Sequence, residues 1–143
     1  MKKRKRLLAL CVCLLLCVGF CACGSSSTKS ISSYRWSLEW IADLDGKPLF
    51  SGSEQDSMKG LDLVLRFDGK NFALENNVSK QTWTGIYSLE RVHNVYRLEL
   101  FFENSEKSSV GVYGTRVYSD NSKNATITLK TDDYILSFIG ADL

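Results

Sequence analysis

After residue 23 this 143-residue chain has no cysteine, and the whole chain holds one histidine, His93, and one proline, Pro48. Without thiols, everything past residue 23 is barred from internal disulfides and from thiolate metal sites. With a single histidine, a zinc site would rest on carboxylates almost alone, an unusual donor set. No Gly-x-Ser-x-Gly elbow and no phosphate-cradling glycine loop occurs. His93 sits in Arg91-Val92-His93-Asn94, which reads as a hairpin turn. Asp132-Asp133 and the trio Asp43, Asp45 and Glu54 read as solvated turn residues rather than acid/base pairs. The chain is therefore expected to be no enzyme and to carry no cofactor or metal.

Basic charge is also scarce where it would count. Five of the 18 Lys and Arg lie at residues 2–6, so thirteen basic residues face all 16 Asp and Glu in the rest of the chain, a net charge of −3. A mildly acidic domain with interspersed signs lacks the basic footprint of a nucleic-acid binder. Nor does it offer a polybasic patch to grip anionic lipid.

What is present begins at the N-terminus. Lys2-Lys3-Arg4-Lys5-Arg6 precede an apolar run from Leu7 to Phe20, and all five cysteines (11, 13, 17, 21 and 23) lie in this region. A positive start, an apolar middle and a small-residue cut site make a secretory leader. The run to Ala22 is short for a membrane span, which takes about 17–25 apolar residues. Ala22 is the small residue before Cys23, whereas bulky Phe20 precedes Cys21. Phe20-Cys21-Ala22-Cys23 resembles the lipobox of bacterial lipoproteins, which implies a leader over 1–22 and a diacylglycerol on Cys23, with Cys21 as the alternative. Two acyl chains give stable anchoring where one is marginal. Residues 24–33, nearly free of apolar side chains, read with Cys23 as a flexible tether. The expected location is the cell membrane, lipid-anchored and facing out of the cytoplasm.

Residues 34–143 make one domain whose dominant period is two. Tyr34, Trp36, Leu38 and Trp40 share a face. So do Leu61, Leu63, Leu65 and Phe67; Phe72 and Leu74; Trp83, Tyr87 and Leu89; Tyr96, Leu98, Leu100 and Phe102; Ala125, Ile127 and Leu129; and Tyr134, Leu136 and Phe138. The run from Val110 to Tyr118 is β-rich but ambiguous in facing. The pattern makes eight half-buried strands, separated by turn signals such as Asp68-Gly69. Ser53–Lys59 reads as a short helix between a Ser cap and Gly60. The expected fold is an all-β domain, a small eight-stranded antiparallel up-and-down barrel, with a β-sandwich as the alternative. Gly85, Gly111 and Gly114 inside strands suggest bends or bulges.

Tyr34-Arg-Trp36-Ser-Leu38 with Asp45-Gly46-Lys47-Pro48, then Leu65-Arg-Phe67-Asp-Gly69-Lys-Asn-Phe72, then Thr84-Gly85-Ile-Tyr87, resemble small bacterial lipocalin-like domains. The resemblance implies a barrel borne by a surface lipoprotein. A barrel of eight strands is either filled by side chains or holds one small ligand. The rings favour filling; the resemblance favours a ligand. For an apolar or amphipathic ligand the candidate residues are Trp36, Trp83, Tyr87, Tyr96 and Arg116. Arg116 faces inward if Val110 and Val112 do, and then needs an anionic partner, either a ligand carboxylate or a nearby Asp or Glu. The second functional expectation is a cell-envelope interaction module with a packed core, contacting a protein through Leu49-Phe50 or an outward Tyr113.

Overall fold

A computed structural model describes residues 29–51 and 60–143. The leader, Cys23, most of the tether and the short helix expected at 53–59 lie outside the described residues. Within them a 3-10 turn, Ile31–Ser33, is followed by nine strands: β1 (Tyr34–Ala42), β2 (Pro48–Ser51), β3 (Leu63–Asp68), β4 (Asn71–Asn76), β5 (Gln81–Val92), β6 (Val95–Phe102), β7 (Ser108–Val117), β8 (Lys123–Lys130) and β9 (Ile135–Asp142).

From β3 to β9 each strand pairs antiparallel with the next, and β1 pairs with both β9 and β3. Eight strands thus close into an up-and-down barrel; β2 lies outside the ring, against β1. A sandwich would leave open edges, and the β1–β9 seam, running from Tyr34↔Asp142 to Ala42↔Ile135, removes them. The other seam is narrow: β3 meets β1 only at Trp36↔Leu65 and Ser37↔Val64, and β2 takes over that edge from Trp40 to Ala42.

A β-bulge sits in β1. Leu38 pairs with Phe138 and Trp40 with Ser137, leaving Glu39 as the extra residue. The bulge reverses the facing of the remaining β1 residues. Trp40, expected inside, turns outward, and Ile41 takes the inner place at 4 % exposure. Two further facings differ from expectation. Tyr134 precedes β9 and is exposed, its backbone tied to the Thr131 hydroxyl. In β7, Val110 and Val112 point outward while Ser109, Gly111 and Tyr113 point inward, so Tyr113 is no outer-face residue: it is 3 % exposed. Leu49 and Phe50 belong to strand β2 rather than to a loop.

The strand glycines are not bulges either, since pairing runs without a shift through Gly85, Gly111 and Gly114. The β3–β4 turn centres on Gly69-Lys70, one residue later than Asp68-Gly69, with positive φ at Gly69 alone. That is the Gly-first pattern of two-residue hairpins.

Inside the ring, Trp36, Leu65, Phe67, Phe72, Leu98, Leu100, Ile127, Leu129 and Phe138 form one continuous core. One end is closed. Ile31 is buried there, and the Trp36 indole Nε1 donates to its carbonyl at 3.0 Å. The Tyr113 hydroxyl donates to the Lys29 carbonyl at 2.7 Å. Residues 29–33, read from sequence as tether, are thus docked on the barrel. Rings complete the plug: Tyr34 lies 5.1 Å from Trp36, Tyr113 meets Trp36 edge-on at 5.6 Å, and Tyr96 stacks on Tyr113 at 5.6 Å.

Burial, with Tyr34 and Tyr96 close by, pushes the Tyr113 phenol up to about 12. An exposed tyrosine titrates near about 10. The fold therefore favours the neutral phenol. Its contribution to stability is whole below about pH 10 and is lost as pH rises toward 12. Urea midpoints measured from pH 9 to 12 should fall over this window, and Tyr113→Phe should flatten that fall while costing about 1 kcal/mol at neutral pH for the lost hydrogen bond.

Candidate functional site

Among the described residues, the opposite end of the barrel is open. Inward residues near the strand ends meet there: Leu63 of β3, Leu74 of β4, Trp83 of β5, Phe102 of β6 and Ser109 of β7. With Leu61 they line a cup of about 340 Å³. Ligand sites run from roughly 300 to 1,000 Å³, so the cup is at the small end of that range. Beneath it the barrel is packed. Phe72 meets Phe102 edge-on at 5.1 Å, and fully buried Leu65 and Leu100 lie in the core below.

The rim is polar. The β6–β7 loop supplies Lys107, the start of β7 supplies Ser108, and the β8–β9 loop supplies Thr131, Asp132 and Asp133. The Lys107 ammonium donates to the Asp132 carboxylate across the two loops, and that hydrogen bond raises the lysine above its ordinary value. Both side chains are exposed, so solvent screens the pair and its effect on stability is small. It matters more as geometry, since it ties two loops together on one side of the opening. An apolar wall with a charged lip can take an apolar group inward and leave a polar edge at the water. Among the described residues no group of three or more His, Cys, Asp and Glu side chains gathers as a metal site.

Of the candidate residues, the mouth contains Trp83. Trp36 and Tyr96 belong to the closed end. Tyr87 packs edge-on against Phe67 at 4.7 Å and donates its hydroxyl to the Gly69 carbonyl at 3.0 Å, beside the β3–β4 hairpin. Arg116 is outside the barrel. It reaches across β8, its Nη1 2.8 Å from the Glu39 carboxylate and its Nη2 3.2 Å from the Ser137 hydroxyl. Burial alone would lower this guanidinium, but Glu39, with Tyr118 beside it, more than reverses the effect and the net shift is upward. The anionic partner Arg116 requires is thus the bulge residue of β1. Ser137, fully buried, completes the set by donating to Glu39 at 3.2 Å.

The lining residues that the sequence pattern did not single out were findable by position. Leu74 and Ser109 are inward residues close to the turns at one end, and Lys107 and Asp132 lie in the turns themselves. Hydropathy marks a core residue; only the order of strand ends shows which core residues meet at an opening.

The chain has no significant match among family models, curated proteins or solved structures.

Proposed function

We propose that this protein is a membrane-anchored extracytoplasmic lipoprotein, lipidated on Cys23, whose lipocalin-like barrel binds one small apolar or amphipathic molecule in its mouth. The leader residues Lys2–Arg6, the apolar run to Phe20 and the Ala22-Cys23 junction support the anchor. The observation that carries the binding reading is the apolar cup of about 340 Å³ that the described residues form at the end of the barrel opposite the Ile31 plug. Its shallowness sets the ligand class. With Phe72 and Phe102 closing the floor, there is room for a ring or a short branched group but not for a long acyl chain threaded along the axis.

One observation favours a second reading, the envelope interaction module. Ile86 and Phe101 are cross-strand neighbours on the outer face and remain 56 % and 41 % exposed. With outward Val110 and Val112 on the next strand, exposed 38 % and 47 %, they make an apolar outer face that suits a protein contact.

The two separate in a titration of residues 24–143 with the two-ring apolar fluorophore N-phenyl-1-naphthylamine. Saturable enhancement at one probe per barrel is expected. Ser109→Phe, which places a ring in the cup, should weaken the probe at least tenfold, about 1.4 kcal/mol, without lowering the melting temperature. No saturable uptake by the unaltered protein would sink the binding reading and leave the outer face.

A further inference from the structure

We propose that the closed end of the barrel is its membrane-proximal end and that the mouth opens away from the bilayer. This rests on the reading of Cys23 as the lipid anchor.

The chain enters the barrel at the closed end and is held there. Lys29 accepts the Tyr113 hydroxyl at 2.7 Å through its carbonyl, and its ammonium lies 2.6 Å from the Asp142 carboxylate. Ile31 is 2 % exposed and accepts the Trp36 indole N–H. The stretch between the anchor and the docked chain is therefore shorter than the eleven residues that composition suggests. It ends at Lys29, six residues after Cys23. Six residues reach at most about 22 Å when fully extended.

That reach is close to the height of the barrel wall. Strands β6, β8 and β9 have eight residues each. At 3.3 Å per residue and a tilt near 40°, such a strand spans roughly 20 Å along the barrel axis. With the mouth on the membrane, the chain from Cys23 would have to climb this height to meet Lys29, stretched almost to its limit of about 22 Å. A lipid on Cys21, eight residues from Lys29, gives about 29 Å, fully stretched. With the closed end on the membrane, Lys29 already lies beside the anchor and no stretching is needed, and this difference favours the mouth-up pose. The ligand then arrives from the aqueous side rather than from the leaflet that holds the anchor. The β5–β6 hairpin at His93-Asn94 sits near the headgroups, and the β4–β5 turn at Asn77-Val78 sits far from them.

The full chain can be tested in place. Processing removes the leader cysteines and lipid occupies Cys23, so an introduced thiol is unique. Asn94→Cys and Val78→Cys, both at exposed positions, are expressed as full chains, purified from membranes and labelled with a donor fluorophore. Each is reconstituted into phosphatidylcholine/phosphatidylglycerol vesicles carrying a headgroup acceptor. Energy transfer should be strong from position 94 and several-fold weaker from position 78. Equal transfer, or stronger transfer from position 78, overturns the orientation. Metabolic labelling with an alkynyl palmitate is read alongside. Label lost in Cys23→Ala supports the anchor; no label on the unaltered chain overturns the anchor and the orientation with it. Label present with reversed transfer overturns the orientation alone.

Discussion

Trp36→Ala is expected to cost about 3–5 kcal/mol, the range for removing a fully buried large ring. Trp36 has no exposed surface and lies on both closing seams, paired with Leu65 of β3 and Gly140 of β9. Its removal opens a void between Tyr34 and Tyr113 and leaves the Ile31 carbonyl without its buried donor. The β1–β3 seam has only two pairs in register, so little else holds the ring closed there. Against a total stability of about 5–15 kcal/mol such a loss brings the barrel to the edge of unfolding. Urea denaturation at neutral pH measures it. Trp36→Phe, which keeps one aromatic ring but loses the N–H and the volume of the second ring, should cost less than Trp36→Ala. Trp40→Ala is the informative control. The Glu39 bulge puts Trp40 outside and half-buried, so its loss should be under about 1.5 kcal/mol. Equal costs at the two tryptophans would show that the bulge is misplaced.

Those two tryptophans also show how far the sequence reaches. Tyr34, Trp36, Leu38 and Trp40 form an unbroken alternation, and alternation alone assigns one face to all four. A bulge has no hydropathy signature, because it adds a residue without changing composition. In β7 the failure has another cause. Val110 and Val112 are the apolar residues, yet the inward places go to Ser109, Gly111 and Tyr113. Gly111 lies against Leu129 and leaves no room for a side chain. Volume, not hydrophobicity, decided that facing, and volume is a property of the partner strand. The eight barrel strands were legible because each buries one face of a period-two pattern, and turn residues punctuate them. The mouth was half legible: Trp83 and Phe102 belong to the inward set, but their meeting with Lys107 and Asp132 depends on barrel closure, which brings distant loops to one rim. The Arg116–Glu39 pair is separated by 77 residues and depends on the β1–β9 seam that closes the barrel.

Gly85→Ala should be more disruptive than its size suggests. In a strand, replacing glycine by alanine normally stabilises, by about 0.5–1 kcal/mol, because the unfolded chain has fewer states to lose. Gly85 is not at positive φ, so the backbone itself would accept the change. Space would not. An alanine Cβ would lie 2.0 Å from the Phe101 carbonyl oxygen and 2.8 Å from the Phe72 ring. The carbonyl belongs to the adjacent strand and cannot swing aside as a side-chain tip would; β5 and β6 must part. Gly111 has the same constraint, 2.3 Å from the Thr128 carbonyl and 2.7 Å from Leu129. Overpacking of this kind costs about 1–3 kcal/mol, or more where backbone must move, and it outweighs the entropic gain. The net expectation is a loss of about 2 kcal/mol or more at each position, read from urea midpoints. Gly114 offers the contrast: its Cβ would meet only a Val95 methyl at 3.1 Å, a side chain able to give, so Gly114→Ala should fall within about 0.5 kcal/mol of neutral. The Gly85 change also reaches the mouth. Gly85 pairs with Phe102, and Phe102 lines the cup against Phe72. Parting β5 from β6 displaces that ring, so Gly85→Ala should weaken N-phenyl-1-naphthylamine severalfold even where the barrel stays folded. Gly111→Ala, at a similar cost in stability, should spare binding, because neither Gly111 nor Leu129 lines the cup. Equal effects of the two on the probe would mean that uptake follows general stability and not the shape of the mouth.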